Sequence, residues 1–581
     1  MEEKAFAWLD QYRGEMIKGE WPTLTEMFNL SRHRFPDKIS FTAFSPKEVH
    51  YTFTEVQLIV RNTAAYLCSL GVKKGDRVAL TGKNSPEWAM AYLAVLEFGG
   101  IIVPIDYQVE KETSERILNF VEAKVLFVDK EKYDTLGIEN SGVTTRISLS
   151  PDKENYILDL PVVETKITSS PTEDDLAAIL FTSGTTGKEK GVMLSHKNLA
   201  TNALQANHPM FLSVKSEDIL YALLPLHHSY CMTAVFLEAI SLGCELVFAG
   251  GLSVSQMMND LKRGGITVIM GIPMLYNKIL KGMMKQIKSK GLVIHLLVGV
   301  LMRFSGIIKK VFNVNLGKKI FGNLLLKKAN LYNIKYMICG GGPLAPETFQ
   351  RYQELGLDFV QGYGMTETSP ISTLNPAHAF NVNSVGKVFP MVDMKIMNPD
   401  EDGIGEIILK GSICCQGYYK NEEATAELFT EDGYLKTGDL GYLDKNNYLY
   451  LTGRAKSLIV TEGGKNVFPE EIEDHFQLFQ QIEQILIVGY LANAETRGEG
   501  IEVLIYPSKE HYESLSISNR EKIREDLLNA VKHVNHELLG YKRISKVRIL
   551  DEPMEMTTTK KIKRPKVIAW LKEQEDTGFL I

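Results

Sequence analysis

The stretch Phe181-Thr182-Ser183-Gly184-Thr185-Thr186-Gly187-Lys188-Glu189-Lys190-Gly191-Val192 decides how the rest of the chain is interpreted. It begins where the apolar run 176–181 ends, and such a run predicts a buried strand. Glycines let the backbone turn its N–H groups inward, hydroxyls add donors, and lysines add positive charge, so this loop suits a polyphosphate. The sequence therefore predicts a phosphate-binding loop directly after a strand.

The loop does not have the glycine spacing of a P-loop NTPase. In that pattern, four residues separate the first glycine from Gly-Lys-Ser/Thr. Here only two residues lie between Gly184 and Gly187-Lys188, and Glu189 stands where the pattern needs a magnesium-binding hydroxyl. The loop is therefore a phosphate clamp of another kind.

As a whole, Thr-Ser-Gly-Thr-Thr-Gly-Lys-x-Lys-Gly-Val closely resembles the phosphate loop of the adenylate-forming superfamily, which includes acyl-CoA synthetases, peptide-synthetase adenylation domains and beetle luciferases. One departure is visible, because many members carry Pro at the position of Glu189. A flexible polar turn would explain the glycines and hydroxyls but not the whole string. The resemblance implies that the loop binds the phosphates of ATP through Thr182, Ser183, Gly184, Thr185, Thr186, Gly187 and Lys188.

Composition limits the class of protein. A length of 581 residues predicts several structural units, and 44% hydrophobic and 23% charged residues are ordinary for a globular chain. The net charge of −6 gives no reason to expect nucleic acid as a partner, and the N-terminus shows no signal peptide. The six cysteines lack metal-ligand or disulfide spacing, which favours reduced thiols. We therefore expect a cytoplasmic protein, and the sequence leaves its oligomeric state open, a homodimer included.

The order of apolar runs predicts an α/β fold. Strand-like runs at 78–81, 101–105, 125–128, 176–181, 219–224, 245–248, 267–270 and 336–339 alternate with helical segments, as in open twisted parallel sheets. Shorter strands and turn residues at about 385–451 predict a β-rich subdomain. A smaller α+β pattern follows. We expect a large N-terminal AMP-binding domain at 1–455 and a small mobile C-terminal domain at 456–581; by resemblance, the hinge is Lys456.

The pentapeptide Tyr363-Gly364-Met365-Thr366-Glu367 resembles the superfamily motif Tyr-Gly-x-Thr-Glu. By that resemblance, Glu367 binds Mg²⁺, Thr366 contacts the α-phosphate, and Gln361, Gly362 and Tyr363 flank the adenine. The role suits Glu367, because Mg²⁺ beside nucleotide phosphates prefers carboxylate oxygen. A lone glutamate in a loop is usually a solvated charge, so the whole motif carries this prediction.

Two further motifs complete the predicted nucleotide site. Gly340-Gly341-Gly342-Pro343 follows a predicted strand and resembles the adenine-site turn of the family, which implies contacts from Gly341, Gly342 and Pro343. The segment Tyr434-Leu-Lys-Thr437-Gly438-Asp439 resembles the family motif whose aspartate binds the ribose hydroxyls, a role that suits a carboxylate because it can accept both hydrogen bonds. Arg454, in Gly-Arg-x-Lys, resembles the basic partner of the ribose and phosphates.

The segment Thr557-Thr-Thr-Lys560-Lys561-Ile-Lys-Arg resembles the family segment Thr-x-Thr-Gly-Lys-Ile-x-Arg. Residue by residue, Lys561 matches the catalytic lysine and Lys560 replaces the usual glycine. A cation that reaches both the substrate carboxylate and the α-phosphate would align the attack and offset charge that builds on phosphorus. The alternative is a solvated basic run.

The resemblance also implies two conformations. Lys561 would serve adenylation, and Gly463-Gly464-Lys465 in the same domain would face the CoA channel after rotation about Lys456. The substrate thiol is the second nucleophile, so no catalytic triad is needed. The family places a histidine at His228, near the acyl pocket and the thioester step, where we expect a gating and packing role.

Five motifs in family order cover nearly the whole chain. They imply adenylation of a carboxylate by ATP and Mg²⁺, with release of pyrophosphate, and then transfer to the thiol of CoA. Four segments are most like long-chain fatty acid–CoA ligases: the N-terminal segment 31–38, the histidine motif 225–229, the basic insertion around 281–335 and the C-terminal segment 561–564. Alternatives are an acyl-carrier-protein ligase, a non-catalytic acyl- or nucleotide-binding regulator, which would predict loss of Glu367 or Lys561, and a luciferase-like oxygenase.

The segment 281–335 is basic and apolar. Between Asp260 and Glu347 there are fifteen Lys and Arg residues and no Asp or Glu. Since the net charge of the whole chain is −6, the rest of the chain has a net charge of −21. The apolar run 291–302 is shorter than the roughly 20 residues that span a bilayer, and we therefore expect no transmembrane helix.

We expect this segment to bind the inner face of the membrane peripherally. Val298, Leu301, Met302, Ser305 and Ile308 follow helical spacing, and an interfacial helix needs such an apolar face with lysines beside it. The lysines predicted to meet anionic lipid are Lys309, Lys310, Lys318 and Lys319. The alternative is a core-packing helix pair with solvated lysines.

Overall fold

The computed structural model describes residues 6–137, 142–183, 189–251, 253–462, 465–493, 498–557, 560–573 and 578–580. Two mostly parallel sheets with helices form the body of the large N-terminal domain, and a third, antiparallel sheet follows them. A smaller α+β domain forms the C-terminal part. The predicted α/β class, with a large and a small domain, is confirmed.

The six-stranded sheet carries the phosphate loop. Its strands, in spatial order, are Thr145–Ser148, Val125–Val128, Arg77–Thr81, Ile101–Ile105, Leu176–Ser183 and Glu189–Ser195. The first five are parallel, and the sixth pairs antiparallel with the fifth. Strands such as Ile101–Ile105 are buried along their whole length, which explains their continuous apolar sequence.

The nine-stranded sheet carries the nucleotide motifs. Its strands, in spatial order, are Lys387–Val388, Ile371–Leu374, Asp358–Gly364, Tyr336–Cys339, Val268–Gly271, Ile219–Ala222, Glu245–Phe248, Ile39–Ala43 and Val49–Thr52. The six from Asp358–Gly364 to Ile39–Ala43 are parallel, and antiparallel strands close both edges. The glycine turn and the Tyr-Gly-x-Thr-Glu motif lie at the carboxyl ends of neighbouring parallel strands, where ligands bind in such sheets.

Helices cover these sheets. In the N-terminal domain they are Leu24–Arg34, Phe53–Ser69, Pro86–Glu97, Lys111–Val121, Lys130–Tyr133, His196–Ala206, Ser229–Cys231, Glu238–Leu242, Val254–Gly264, Pro273–Lys288, Leu292–Phe312, Leu316–Phe321, Pro346–Glu354 and Glu422–Leu428, with π-helical turns at Met232–Leu237 and Gly322–Leu326. The helix Phe53–Ser69 begins with a capping box: the Thr52 hydroxyl accepts from the Glu55 N–H, and the Glu55 carboxylate accepts from the Thr52 N–H.

The β-rich subdomain is a four-stranded antiparallel sheet. Its strands are Val392–Met397, Gly405–Gly411, Leu435–Leu443 and Leu449–Arg454. The last strand runs to Arg454, three residues beyond the predicted end of the subdomain, and a single 3₁₀ turn, Ala455–Ser457, follows it. Lys456 lies in that turn, between the last strand of the large domain and the first of the small one.

The C-terminal domain packs helices on a four-stranded sheet. A short hairpin, Ile459–Val460 with Asn466–Val467, precedes the sheet strands Ile482–Asn493, Gly498–Pro507, Lys546–Ile549 and Phe579–Leu580. The helices are Pro469–Phe476, Lys509–Ser514, Arg520–Glu537 and Arg564–Glu573. A separate apolar core, mainly of Ile and Val side chains, holds this domain together.

The basic segment differs from its prediction in helix length. A single helix of 21 residues, Leu292–Phe312, replaces the run 291–302, so the expectation that it is too short to span a bilayer is wrong. By length and composition alone this helix could cross a membrane. It is instead held along one side: Lys309 is buried and bonds Asp358 Oδ1 at 2.7 Å and the Leu357 carbonyl at 3.1 Å.

The predicted apolar face of this helix is the side that packs on the protein. Met302, Ser305 and Gly306 are buried, and a Cβ on Gly306 would lie 2.8 Å from Glu354 in the neighbouring helix. The apolar residues on the opposite side are exposed. Of the four lysines predicted to meet lipid, Lys309 is therefore excluded, and the Lys318 ammonium bonds the Ile334 carbonyl at 3.1 Å.

Candidate active site

One cavity of about 3040 Å³ is lined by residues of both domains. It brings together motifs that are up to 379 positions apart in the chain, from Thr182 to Lys561. The predicted site residues on its wall are Thr182, His228, Gly341, Gly342, Pro343, Gln361, Gly362, Tyr363, Thr366, Glu367, Asp439, Arg454, Lys465 and Lys561. The predicted residues Gly184–Lys188, Gly463 and Gly464, and the side chain of Ser183, lie outside the described part of the chain.

The flanks of the phosphate loop are paired strands. Thr182 lies opposite Lys190, and Ser183 lies opposite Glu189, in the antiparallel pair that frames residues 184–188. A P-loop leads from a strand into a helix, whereas this loop leads from a strand into a strand. The structure therefore agrees with the exclusion of a P-loop made from the glycine spacing.

Glu189, which replaces the usual proline, has a partner. Its carboxylate lies 2.6 Å from the Arg116 guanidinium on the helix Lys111–Val121. The pair connects the start of the strand Glu189–Ser195, directly after the loop, to a neighbouring helix. Since Arg116 is largely exposed, we expect the pair to position the loop and to add little to stability.

The proposed magnesium ligand is held by a tyrosine that no sequence motif indicated. Tyr418 donates a hydrogen bond of 2.8 Å to Glu367 Oε1, and the Lys190 ammonium lies 4.7 Å from the centre of the Tyr418 ring. Within the described residues the other oxygen, Oε2, has no hydrogen-bond partner. Glu367 is buried at the cavity wall, so one carboxylate oxygen is oriented by protein and the other is available to a cation.

Tyr418 reaches this position through backbone pairing. It bridges Val192 in the loop hairpin, and hydrogen bonds join Gly417 to Met193 and Tyr419 to Gly191. The contact joins segments more than 200 residues apart, so local pattern contains no signal for it.

Thr366 and Gly364 are fixed by neighbours. The Thr366 hydroxyl lies 3.2 Å from that of Ser229, which follows His228 at the start of a short helix. A Cβ at Gly364 would lie 1.7 Å from the Pro370 carbonyl oxygen, so the motif needs glycine there. The sequence did not indicate Ser229 as a site residue.

The predicted ribose carboxylate bonds two site residues directly. Asp439 Oδ2 accepts from the Tyr363 hydroxyl at 2.7 Å, and Oδ1 accepts from Arg454 Nε at 3.2 Å. Asp439 and Arg454 are cross-strand neighbours in the antiparallel sheet, which explains their 15-residue spacing. Burial, and next the Asp439 charge, raises the pKa of Tyr363 well above its ordinary value. Tyr363 therefore remains a neutral hydrogen-bond donor.

Lys561 faces this group from the C-terminal domain. It lines the open cavity, where solvent still reaches it although protein of both domains lies around it. Burial, and next the Arg454 charge, lowers the pKa of Lys561 to about 8, against the opposing effect of Asp439. The Thr557 hydroxyl accepts a hydrogen bond from the Lys561 backbone N–H at 3.1 Å. Lys561 is therefore positioned at the nucleotide end of the cavity.

Lys560 has a backbone conformation that glycine favours. Its φ is +59°, in the left-handed region, where the family usually has glycine. This conformation explains the family preference and makes Lys560 a strained substitute. Lys560 also lines the cavity, but the interactions with Asp439, Arg454 and His228 belong to Lys561.

His228 lies in a compact polar cluster. Its ring centre is 4.3 Å from that of His227, and His227 Nε2 lies 3.5 Å from Asp106 Oδ1. Burial, and next His227, lowers the pKa of His228 to about 3, and Lys561 acts in the same direction. Atoms of Asp106, His227 and His228 that could bind a metal lie within 4.8 Å of one another. The nearby Lys561 cation opposes that use, so we interpret His228 as a neutral wall residue.

Part of the cavity wall is apolar. The buried side chains that line it include Ala206, Leu212, Ala234, Met270, Ile338 and Leu374. Glu238 belongs to the same lining and is fully buried, and neither carboxylate oxygen has a hydrogen-bond partner in the described residues. Burial raises the pKa of Glu238 to about 8. The wall can therefore accept a hydrocarbon chain beside a carboxyl group that is kept neutral.

The two domains are joined beside the glycine turn. Gln477 Oε1 accepts from the Ala345 N–H at 2.9 Å and from Asn277 Nδ2 at 3.1 Å, and its Nε2 donates to the Pro343 carbonyl at 3.1 Å. Lys281 also donates to the Phe479 carbonyl at 2.9 Å. These contacts hold the C-terminal domain in the orientation that places Lys561 in the cavity. Lys465 lines the same cavity from the exposed hairpin side.

Two profiles of the same enzyme family match most of the chain. A profile described as AMP-binding enzyme matches residues 28–419, and one described as AMP-binding enzyme C-terminal domain matches residues 456–576. A long-chain-fatty-acid–CoA ligase of Mycobacterium bovis is 29% identical over 566 residues, which cover 89% of this chain and 90% of that protein. A long-chain-fatty-acid–CoA ligase of Bacillus subtilis is 26% identical over 547 residues, 86% of this chain and 89% of its own.

Solved structures share the fold. The ATP-bound structure of MatB from Rhodopseudomonas palustris has a TM-score of 0.74 and 24% identity, and the match covers 95% of this chain and 99% of that one. An o-succinylbenzoate coenzyme A synthetase of Bacillus subtilis, in complex with ATP and magnesium ion, has a TM-score of 0.71 and 22% identity, with 93% and 99% covered. At these identities the likeness supports the fold.

Proposed function

Because the chain belongs to the AMP-binding enzyme family of adenylate-forming acyl-CoA ligases, we propose that it activates a long-chain fatty acid. The carboxylate of the acid would attack the α-phosphorus of ATP to form an acyl-adenylate. The bond from that phosphorus to the bridging oxygen breaks, and pyrophosphate leaves. The thiol of CoA would then attack the acyl carbon, so that a thioester forms and AMP is released.

The observation that supports this function best is the meeting of Lys561, Glu367 and Asp439 on one cavity. A carboxylate is a poor electrophile, and attack by its oxygen on a phosphate is opposed by repulsion between two anions. A cation placed at the cavity end that Asp439 and Arg454 mark would reduce this repulsion and offset charge on phosphorus. We assign this role to Lys561.

The donor set fits a magnesium ion with ATP. Glu367 presents carboxylate oxygen at the wall, with Oε1 oriented by Tyr418 and Oε2 open among the described residues. Magnesium would neutralise phosphate charge and favour departure of pyrophosphate. Thr366, whose hydroxyl lies beside that of Ser229, is placed to donate to a phosphate oxygen.

The nucleoside would lie between two described elements. Gly341, with φ of +80°, and Pro343 form the turn on one side, and Gln361 to Tyr363 form the strand on the other. Asp439 would exchange its present partners Tyr363 and Arg454 in part for the ribose hydroxyls. A carboxylate can accept a hydrogen bond at each oxygen, and the Arg454 guanidinium beside it is a charged donor.

A long hydrocarbon chain is supported by the relatives and by the wall. The two relatives compared above are named for long-chain fatty acids, and buried apolar side chains line the cavity. Another relative, 25% identical, is named feruloyl-CoA synthase, so acid choice differs within the family. The preferred length of the acyl chain therefore has to be measured.

The second step needs a different face of the C-terminal domain. Rotation about Lys456 would withdraw Lys561 and bring the hairpin that carries Lys465 to the thiol, as in other hinge motions. We place the reaction in the cytoplasm at the inner face of the membrane, because a long-chain acid partitions into lipid.

One set of assays tests the function. Purified protein is given ATP, magnesium and acids of increasing length, with CoA or acyl carrier protein as acceptor, and AMP and thioester are measured. We expect acid-dependent AMP formation that is greatest with long chains and yields thioester with CoA. If a thioester forms only with acyl carrier protein and not with CoA, the acceptor in the proposal is acyl carrier protein. Oxygen uptake with light emission would indicate an oxygenase, and no AMP with any acid would overturn the proposal.

A further inference from the structure

The side of the helix Leu292–Phe312 that faces away from the protein is apolar along its length. The exposed residues Val293, Leu297, Val300, Phe304, Ile307 and Val311 recur at intervals of three and four, so they form one stripe. Their exposed fractions run from 52% to 79%. Apolar residues scattered singly on a surface are ordinary, but a continuous stripe indicates a binding face.

The stripe is distinct from the rest of the surface. Of the 26 large hydrophobic side chains that are exposed in the described residues, eleven lie between Leu292 and Val314. The remaining fifteen are distributed along the chain from Leu58 to Leu580. The exposed apolar surface is thus concentrated in one element, outside the catalytic cavity, whose lining does not include this helix.

Basic side chains lie in the same segment as the stripe, and Arg303 and Lys310 lie on the helix that carries it. Those that are exposed within 281–335 are Lys285, Lys288, Lys290, Arg303, Lys310, Lys319, Lys327 and Lys328. None of these eight forms an ion pair with any residue that the structure describes, and the segment between Asp260 and Glu347 itself contains no acid. An apolar stripe with unneutralised cations beside it complements anionic headgroups above acyl chains.

We propose that this stripe is a membrane-docking face, and that the helix lies in the plane of an anionic lipid surface. The opposite side of the helix is fixed to the large domain by Met302, Gly306 and the buried Lys309–Asp358 pair. A helix held along one side in this way can immerse only its other side. It therefore docks peripherally, although its 21 residues would be long enough to span.

A second copy of the chain fits this face less well. A symmetric contact would place like patches together, so the lysines around one stripe would face those around its copy. Repulsion among exposed like charges opposes such a pairing, whereas an anionic bilayer neutralises them. The charge distribution therefore favours lipid.

Vesicle flotation tests the proposal. The full-length protein is mixed at low salt with vesicles of phosphatidylcholine alone or with one-third phosphatidylglycerol, and the bound fraction is measured. The stripe variant is Leu297→Asn, Phe304→Asn and Ile307→Asn. The matched control, Leu58→Asn, Leu515→Asn and Leu539→Asn, changes three equally exposed apolar residues elsewhere.

We expect the parent and the control to bind anionic vesicles, the stripe variant to bind at least about tenfold less, and high salt to weaken the parent. Lys310→Gln with Lys319→Gln should reduce binding and its salt dependence. Equal binding by parent and stripe variant would overturn the proposal, as would absence of parent binding. Retention of the parent after an alkaline carbonate wash would indicate a spanning helix. A parent dimer that the stripe substitutions convert to monomer, without vesicle binding, would assign the face to a second copy.

ATP-dependent activation of a soluble short-chain acid serves as the folding control. The stripe does not touch the cavity, so both triple variants should retain this activity. The docking proposal can thus fail while the proposed reaction stands, and the reverse also holds.

Discussion

The side-chain oxygen of Gln477, in the small domain, accepts a hydrogen bond of 2.9 Å from the backbone N–H of Ala345, in the large one. Ala345 follows the turn that contains Gly341, Gly342 and Pro343, so the contact joins the proposed adenine site to the C-terminal domain. The rotation proposed to bring Lys465 to a thiol would break this contact. Gln477 is therefore expected to stabilise the orientation in which Lys561 enters the cavity.

We predict that Gln477→Ala slows acyl-adenylate formation by up to about a hundredfold. The substitution removes three hydrogen bonds across the domain boundary, each worth about 1 kcal/mol, and a change of about 1.4 kcal/mol shifts a population tenfold. Thioester formation from supplied acyl-adenylate should be unchanged or faster. The two half-reactions are measured separately by rapid quench, with Gln480→Ala as the exposed control. An equal loss in both half-reactions would show that Gln477 has no conformational role.

A second prediction concerns Glu367 and its partner. Glu367→Gln keeps the shape but removes the charge, so adenylation should fall about a hundredfold and require more magnesium. Tyr418→Phe removes only the 2.8 Å hydrogen bond that orients the carboxylate, so the loss should be nearer tenfold. The measurement is adenylation rate against magnesium concentration at fixed ATP. Normal turnover by Glu367→Gln at low magnesium would contradict the assignment.

Glu238 gives a prediction for stability against pH. Burial raises its pKa from 4.5 to about 8, so between these values the folded protein keeps a proton that the unfolded chain releases. This contribution to stability is complete below pH 4.5 and is lost as pH rises to about 8, by about 1.4 kcal/mol per pH unit. Glu238→Gln should be close to the parent at pH 5 and more stable than the parent at pH 7.5.

Denaturant unfolding at the two pH values checks this prediction. Glu112→Gln, on an exposed helix position, is the control and should follow the parent at both. A variant that tracks the parent between pH 5 and 7.5 would mean that Glu238 titrates normally in the folded protein.

Much of the fold follows from local pattern. The runs 101–105, 125–128, 245–248 and 336–339 predict strands that the structure has with the same bounds. They succeed because central strands of parallel sheets are buried on both faces and so are apolar throughout. The strand predicted at 219–224 ends at Ala222, since Leu223 and Leu224 are buried outside the sheet and apolar character alone does not mark a strand end.

The site was predictable where chemistry lies within one motif. Thr366, Glu367, Asp439 and Lys561 lie in segments whose order and residue types carry their assignment. Tyr418 acts through the fold: it meets Glu367 only because a distant segment pairs with the loop hairpin. Gln477 bonds the Gly341–Pro343 turn through a contact between the two domains. Such contacts have no local spacing to detect.

The basic segment 281–335 shows the same limit in another form. Helical spacing indicated an amphipathic helix, but both sides of Leu292–Phe312 are apolar. Composition cannot decide which side meets the protein. The buried Lys309–Asp358 pair decides it, because a buried ammonium needs a carboxylate partner.

The most direct test of the proposed chemistry is Lys561→Ala in the two half-reactions. Lys560→Gly is the matched control, because it removes a neighbouring charge and also relieves a left-handed φ of +59°. Pyrophosphate release from ATP with a long-chain acid, and thioester formation from supplied acyl-adenylate and CoA, are each timed by rapid quench. We predict that Lys561→Ala lowers the first rate about a hundredfold or more and leaves the second near that of the parent, while Lys560→Gly affects neither. Equal loss in both steps, or a severe loss in Lys560→Gly with an active Lys561→Ala, would contradict the account.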